Sequence, residues 1–192
     1  MQSSAKVYWG VRAGVSRSSL VQKIDLDYHS GAIVGGSVAG LMDIPFYERF
    51  SFRPEVIWTY QGGSFFSGIN DSKEYTLTNN VKGHAIQVPL NLAFNIPIIG
   101  VHLAIYGGPA FDFRLNDKLS TKQRLEEPVP TPPQKIRPFD FGINTGISVE
   151  YQNVFFSISS LYGTLDRRKA KIPNDAHVYQ NNLTFSIGYF FR

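Results

Sequence analysis

The sequence predicts an all-β protein: an eight-stranded antiparallel up-and-down transmembrane β-barrel, with residues 1–192 forming a single barrel domain. Three observations predict it. The side chains alternate in character with a period of two, which is the strand period. The alternating runs are long, and the connections between them are alternately long and short, as in a membrane barrel. No amphipathic helix is evident in the sequence.

The alternating runs give roughly eight strands in chain order. The first contains Trp9, Val11 and Val15, and the second is the glycine-rich region 32–42, whose phase is ambiguous. The other runs cover residues 50–61, 86–95, 101–113, 139–150, 154–162 and 182–191. Most reach or exceed the roughly 9–11 residues that a tilted strand needs to cross a bilayer. Strands of soluble proteins average about 5–6 residues, so the length of these runs favours a membrane barrel.

The predicted connections alternate in length along the chain. Long polar segments cover residues 16–30, 62–83, 115–135 and 164–177, and short ones cover 43–47, 95–100 and 152–153. The third long segment contains the run EEPVPTPPQK, which we expect to be extended. Because outer-membrane barrels combine long extracellular loops with short periplasmic turns, this layout is typical of them.

Alternation alone does not say which face meets lipid, because a soluble carrier barrel has its apolar face inside. Here the polar face is rich in Gly, Ala, Ser and Asn, and such small residues suit the crowded lumen of a narrow barrel. It also carries isolated charges of both signs, which are tolerated inside a protein when they are paired. We predict an interior charge network of Arg12, Arg53, Glu55, Asp112, Asp140 and Glu150. Its simpler role is to hold the barrel together, and the alternative is a narrow ion or proton path.

Aromatic residues of the apolar face gather near the strand ends. One predicted ring contains Trp9, Phe50, Phe94, Tyr151, Phe156, Tyr189 and Phe191. The opposite ring contains Trp58, Tyr60, Phe111, Phe113, Phe139, Phe141 and Tyr162. Two aromatic girdles around an aliphatic belt match the two interfaces of a membrane. Pro54, Pro89 and Pro109 oppose this interpretation, because each removes a donor from the strand ladder and so demands a bulge or a local break.

Composition excludes several classes of function. The chain has no cysteine, so neither a disulfide framework nor a thiolate metal site can form. The formal net charge of +4 is too modest to indicate a nucleic-acid partner. The chain opens MQSSAK, without a basic and apolar leader. It is therefore either cytoplasmic or a mature form whose signal peptide has been removed, and the barrel prediction favours the second.

Several fragments carry a resemblance to a known family. They are WGVRAGVS, FRPEVIWTYQGG, IQVPLNLAF, YGGPAFDF, FDFGINTGISVEY, SLYGTLD and NNLTFSIGYFF. In this order they resemble the outer-membrane β-barrel domain widespread in Bacteroidetes, often labelled porin-family or PorT-like. The resemblance implies an eight-stranded barrel in the bacterial outer membrane, with no fixed activity and, for some relatives, a link to protein secretion. We expect no cofactor. The last strand resembles the signal of the barrel-assembly machinery, with Tyr189 and Phe191, but it ends in Arg192 rather than an aromatic residue.

An eight-stranded barrel is filled by its own side chains, so we expect specificity to lie in the long loops. These loops are basic, and DRRKAK at residues 166–171 is the densest cluster. We predict that they contact anions, such as lipopolysaccharide phosphates or an acidic partner. The predicted contact residues are Lys118, Lys122, Arg124, Arg167, Arg168, Lys169 and Lys171. The simpler alternative is a solvated basic loop.

The predicted function is therefore that of a non-enzymatic structural or interaction protein, and one version of this prediction places it in an envelope or secretion complex. One alternative is a small barrel enzyme that modifies lipid A with a histidine, a serine and an acid. The four histidines are His29, His84, His102 and His177. His29 precedes Ser30, but adjacent strand residues point to opposite faces, and no nucleophile-elbow or metal-ligand spacing occurs. The other alternative is a soluble lipocalin-like carrier of an apolar ligand, although Trp9 precedes Gly10 where that family has Gly-x-Trp.

Overall fold

The computed structural model describes residues 6–24, 27–69, 75–123, 136–168 and 177–192. Within these residues eight antiparallel strands pair in chain order and close into a barrel. The strands are β1 (Tyr8–Ile24), β2 (Asp27–Tyr47), β3 (Phe50–Ile69), β4 (Tyr75–Ile98), β5 (Val101–Gln123), β6 (Phe139–Tyr151), β7 (Val154–Gly163) and β8 (Val178–Phe191). The predicted fold class is confirmed.

The strands tilt steeply around the barrel axis. Following the strand pairings once around the barrel from Gly10 leads back to β1 at Leu20, ten residues farther along the same strand. This displacement in an eight-stranded barrel corresponds to a tilt of about 40° and a lumen just wide enough for side chains. We therefore expect side chains to fill the interior and to leave no open channel.

Tight turns lie at one end of the barrel, together with the start of β1 and the end of β8. They join β2 to β3, β4 to β5 and β6 to β7. Gly100 and Gln152 adopt positive φ angles of 82° and 55° in two of them, which a tight hairpin requires. Trp9 pairs with Phe191 near this end. In an outer-membrane barrel this is the periplasmic end, and the opposite end is extracellular.

The apolar face lies outside and the polar face lies inside. Val34 is 71% exposed and Phe156 is 61% exposed, whereas Gln61 and Asn91 are 0% exposed. This distribution is the reverse of that in a soluble protein, and it removes the soluble carrier, which needs an apolar cavity. Members of both predicted aromatic rings lie on the outer face, at opposite ends of the strands.

Inward glycines make room for the large rings of the lumen. A Cβ atom added to Gly146 would lie 2.5 Å from the Tyr106 ring, and one added to Gly188 would lie 2.3 Å from the Phe155 ring. The small residues predicted for a crowded lumen therefore sit beside the bulky ones. The region 32–42 had an ambiguous phase because Gly36 and Gly40 lie on its lipid face, among apolar neighbours.

Two of the predicted long loops are largely strand and a third begins as strand, which corrects the sequence interpretation. Residues 16–24 and 27–30 continue β1 and β2, residues 62–69 and 75–83 continue β3 and β4, and residues 115–123 continue β5. Among the described side chains of these extensions, polar residues occupy both faces, so the alternation that marks a strand is weak there. The ladder hydrogen bonds do not depend on that alternation. The strands consequently rise well beyond the length that a bilayer needs.

The prolines cause local breaks without a change of register. The β3–β4 pairing is interrupted between Pro54 and Ile57, opposite Pro89, and resumes in the same register. The β4–β5 pairing is interrupted in the same way opposite Pro109. A missing N–H group removes one ladder bond, and the flanking bonds hold the register.

No helix of the described segments is long and apolar enough to cross a membrane.

Candidate functional site

Charged side chains fill the lumen near the periplasmic end. The Arg53 Nε donates a hydrogen bond of 3.3 Å to Asp43 Oδ1 from across the β2–β3 pair. The guanidinium also reaches Ser148 on the far wall, at 3.3 Å, and lies 5.5 Å from the centre of the Phe190 ring. Arg192 donates to Glu150 at 3.1 Å. Contacts between strands that are not neighbours show that the side chains cross the lumen.

A second layer occupies the middle of the barrel. Arg12 Nε of β1 donates a hydrogen bond of 2.9 Å to Oε2 of Glu55 of β3, and Arg12 Nη2 lies 2.8 Å from the same oxygen. Asn91 donates to the other Glu55 oxygen at 3.3 Å, and Asn144 donates to Asn91 at 2.9 Å. All four side chains are buried. The ion pair therefore has the hydrogen bonds that a charge removed from water requires.

A third layer lies below the extracellular mouth. Asp112 of β5 and Asp140 of β6 are directly paired, with both side chains inside the barrel. Arg167, from the segment that follows β7, donates to Asp112 Oδ1 at 3.2 Å and lies 3.7 Å from Asp140 Oδ2. Gln61 and Gln87 also donate to Asp112. One arginine and two amides thus surround two adjacent carboxylates.

Apolar side chains cover the lumen above this layer. Leu20, Phe65, Val81 and Val178 form a buried cluster, and Ile136 packs against it. Arg114 reaches Gln180 at 2.6 Å beside the cluster. The lumen is therefore occupied from the periplasmic turns to the extracellular mouth. All six residues predicted for an interior network are buried there.

The predicted anion contacts divide into three groups. Lys118 and Lys122 are exposed on β5. Arg167 and Arg168 are 1% and 3% exposed, so the expectation that they contact anions from the surface is wrong. Arg167 is drawn inward by Asp112 and Asp140, a pairing that the run DRRKAK does not reveal. The other three predicted residues, Arg124, Lys169 and Lys171, lie outside the described residues.

A β-bulge turns the upper part of β5. His84 pairs with Asn116 and Ala85 pairs with Arg114, which leaves Leu115 as the extra residue. A bulge reverses the faces of all residues beyond it. Asp117 consequently points inward and forms an ion pair with Arg114. Sequence reasoning missed this bulge, because no glycine or proline marks it.

The same bulge builds a basic surface on the outer wall. Beyond it, Lys118 faces outward directly opposite Lys82 of β4. Lys122 lies two rows higher on the same face, opposite Thr78. We call Lys82, Lys118 and Lys122 the outer lysine cluster. No carboxylate of the described ranges lies within ion-pair distance of any of the three.

An acid at the extracellular mouth organises the segment after β7. Asp166 Oδ2 lies 2.9 Å from His177 Nδ1, and Asp166 Oδ1 accepts from the amides of Arg168 and Val178. Burial opposes ionisation, but these hydrogen bonds outweigh it and hold the pKa of Asp166 below its usual value. The His177 side chain is 59% exposed. Asp166 therefore ties the two ends of this connection together.

The remaining histidines do not assemble a catalytic group among the described side chains. His84 lies on the outer face and stacks on Trp58, with ring centres 5.0 Å apart. His102 is exposed near the periplasmic turns. The side chains of His29 and Ser30 lie outside the described residues. No described group of three His, Cys, Asp or Glu residues is placed to hold a metal ion.

Comparison with known proteins supports the architecture. The family described as outer membrane protein beta-barrel domain matches residues 2–166. No protein of curated function matches the sequence.

Three solved structures illustrate the similarity of fold. Ail, the attachment invasion locus protein of Yersinia pestis, solved with the heparin analogue sucrose octasulfate, is 14% identical, with 97% of this chain and 99% of that chain covered and a TM-score of 0.50. Neisserial surface protein A is 11% identical, with coverages of 95% and 97% and a TM-score of 0.51. OprG from Pseudomonas aeruginosa is 10% identical, with coverages of 98% and 97% and a TM-score of 0.52. At these identities the likeness concerns the fold.

Proposed function

The chain belongs to the outer membrane protein β-barrel domain family and resides in the bacterial outer membrane, and from this premise we propose that it is a non-enzymatic surface protein. It binds anionic partners through the extracellular ends of its strands. It does not conduct solutes, and it needs no cofactor.

The filled lumen is the observation that carries this proposal. Arg12 contacts Glu55 across the middle of the barrel, and Arg167 contacts Asp112 below the mouth. Opening a path would require these side chains to give up the ion pairs and hydrogen bonds that they now make with each other across the lumen. A barrel closed in this way interacts with its surroundings through its outer surface.

The extracellular extensions supply that surface. β4 has 24 residues and β5 has 23, whereas a tilted strand needs only about 9–11 to cross the bilayer. The outer lysine cluster lies on this extension. Paired strands hold the lysines more rigidly than a loop does, which lowers the entropic cost of binding a partner.

A polyanion is the partner class that these features favour. Ail, a barrel with the same fold, was solved with sucrose octasulfate. The outward-facing charges described on the β4–β5 extension are the three lysines of the outer lysine cluster, whereas Asp117 forms an ion pair with Arg114. In a more specific form of the proposal, the anionic partner is a protein of the cell envelope, including one in a secretion complex. The quoted fragments also support a place in the PorT-like group of Bacteroidetes.

Two measurements on the refolded barrel test the proposal. We expect planar-bilayer recordings to show no stepwise conductance, and porin-sized steps would overturn the closed-lumen part. We expect sucrose octasulfate to bind the detergent-solubilised protein. Its affinity should fall as ionic strength rises from about 0.05 to about 0.5 M, because exposed charges are screened over that range. Binding that salt does not weaken, or no binding at low salt, would contradict the surface part.

A further inference from the structure

Two pairs of like-charged residues face each other across neighbouring strands of this barrel, and only one of the two pairs has a counterion among the described residues. Inside, Asp112 faces Asp140, and the chain supplies Arg167 as a counterion. Outside, Lys82 faces Lys118, and the described residues supply no carboxylate within ion-pair distance of either. Like charges directly opposite each other destabilise an antiparallel pair. The outer pair is therefore a position at which an anion from the surroundings would relieve repulsion.

The position of the outer pair identifies the surroundings that it meets. Reading outward along the β4–β5 hairpin, Ile86 pairs with Phe113, then His84 with Asn116, then Lys82 with Lys118. The outer face therefore changes from apolar to basic within two rows, or roughly 13 Å along the strand. His84 stacks on Trp58 at this boundary. Tryptophan and neighbouring polar rings are typical of the membrane interface, where lipid headgroups lie.

We propose that the outer lysine cluster binds the phosphate groups of a phosphorylated lipid in the outer leaflet. This inference rests on the proposed function for the orientation of the barrel, and it names the anion and its source. Cβ atoms of directly paired residues lie about 4.5–5.5 Å apart, so the ammonium groups of Lys82 and Lys118 can both reach one phosphate. Lys122 lies four residues beyond Lys118, roughly 13 Å along the strand, and reaches a second phosphate of the same headgroup.

The β5 bulge is part of the same site. If β5 continued without this bulge, with Leu115 paired to His84, Lys118 and Lys122 would point into the lumen and Asp117 would point outward opposite Lys82. With it, the acid is withdrawn to Arg114 and the lysines face the headgroups. One bulge thus separates the charges by sign, which is the arrangement that an anionic lipid needs.

Lipid retention is the test. The barrel is refolded in neutral detergent and mixed with bisphosphorylated lipid A or with the same lipid after enzymatic dephosphorylation, and bound lipid is counted by native mass spectrometry. We expect the phosphorylated lipid to bind and the dephosphorylated lipid to bind far more weakly. The K82Q/K118Q variant should bind the phosphorylated lipid about thirtyfold more weakly, roughly fivefold for each lysine. R17Q is the matched control, because Arg17 is exposed on the outer face of β1, between Val34 and Leu183.

A second measurement compares the unfolding temperatures of K118Q and the wild type without and with lipid. A purely structural role of Lys118 would not reverse the order of the two temperatures. In neutral detergent, K118Q should unfold at the same temperature as the wild type or higher, because it removes a repulsion. With phosphorylated lipid A present, it should unfold at a lower temperature than the wild type. The slower migration on boiling that marks a folded barrel verifies that each variant has folded.

Three outcomes would overturn the inference. They are equal binding of the two lipids, equal losses in K82Q/K118Q and R17Q, and full displacement of the lipid by millimolar inorganic phosphate, which would indicate a site for the free ion. Sucrose octasulfate, titrated in parallel, separates the two proposals. If it fails to bind while phosphorylated lipid A binds through the lysines, the polyanion proposal fails and the lipid site stands.

Discussion

Asp112 and Asp140 face each other across β5 and β6 inside the barrel, and the guanidinium of Arg167 lies within 3.2 Å of one carboxylate and 3.7 Å of the other. Two adjacent carboxylates removed from water need a cation. Arg167 belongs to the segment after β7, and its amide donates to the carbonyl of Val178 at 2.8 Å. The charge interaction therefore fixes the chain across the extracellular mouth as well as filling the lumen.

Removal of Arg167 should strongly destabilise the barrel. We expect Arg167→Gln to lower the free energy of unfolding by about 3–5 kcal/mol, because it leaves two carboxylates buried without a cation. Urea unfolding in lipid vesicles measures this change. Adding Asp112→Asn should recover part of the lost stability, since it removes one of the two carboxylates left without a counterion. Arg17→Gln, on the exposed outer face, serves as the control, and a similar small effect of both arginine substitutions would contradict the assigned role.

The central ion pair should show strong energetic coupling. We expect Arg12→Gln and Glu55→Gln each to destabilise the barrel, and the double variant to lose less than the sum of the two, because the pair is buried and in direct hydrogen-bonded contact. The interaction energy from the double-mutant cycle should be about 1–3 kcal/mol. Strictly additive losses would mean that the two side chains act independently.

The fold class and the orientation of the two strand faces could be predicted from the sequence, because the alternation of apolar and polar residues indicates which side of a strand meets lipid. Arg12 and Glu55 lie on the lumen face that the alternation indicated, but their contact joins residues 43 positions apart and depends on the closure of the ring. Arg167 looked like a surface charge because a charge run carries no information about a carboxylate pair elsewhere. The bulge at Leu115 was equally hidden, since a register shift arises between two strands and not within one.

An added methyl group should disrupt the lumen at Gly146 but not on the lipid face at Gly40. A Cβ atom at Gly146 would lie 2.5 Å from the buried ring of Tyr106, directly across the β5–β6 pair. We expect Gly146→Ala to destabilise by about 1–3 kcal/mol, the usual cost of overpacking. Gly40→Ala should change stability by less than about 0.5 kcal/mol, because nothing lies within 4 Å of its added Cβ atom. In a Tyr106→Ala background the Gly146 penalty should vanish, and a persistent penalty would point to backbone strain instead.

The segment after β7 should loosen in acid through Asp166. Its pKa in the folded barrel is lowered, because burial, which acts in the opposite direction, is outweighed by hydrogen bonds from His177 and from the amides of Arg168 and Val178. A carboxylate whose pKa falls on folding contributes stability that is fully present above its unfolded pKa, about 3.9, and is lost as the pH falls through the folded value. We therefore expect amide-exchange protection at Arg168 and Val178, corrected for the intrinsic exchange rate, to be constant from pH 7 to about pH 5 and to fall below about pH 4. Asp166→Asn should show weaker protection at pH 7 and little further change in acid. If the variant loses protection with the same pH profile as the wild type, another acid controls the segment.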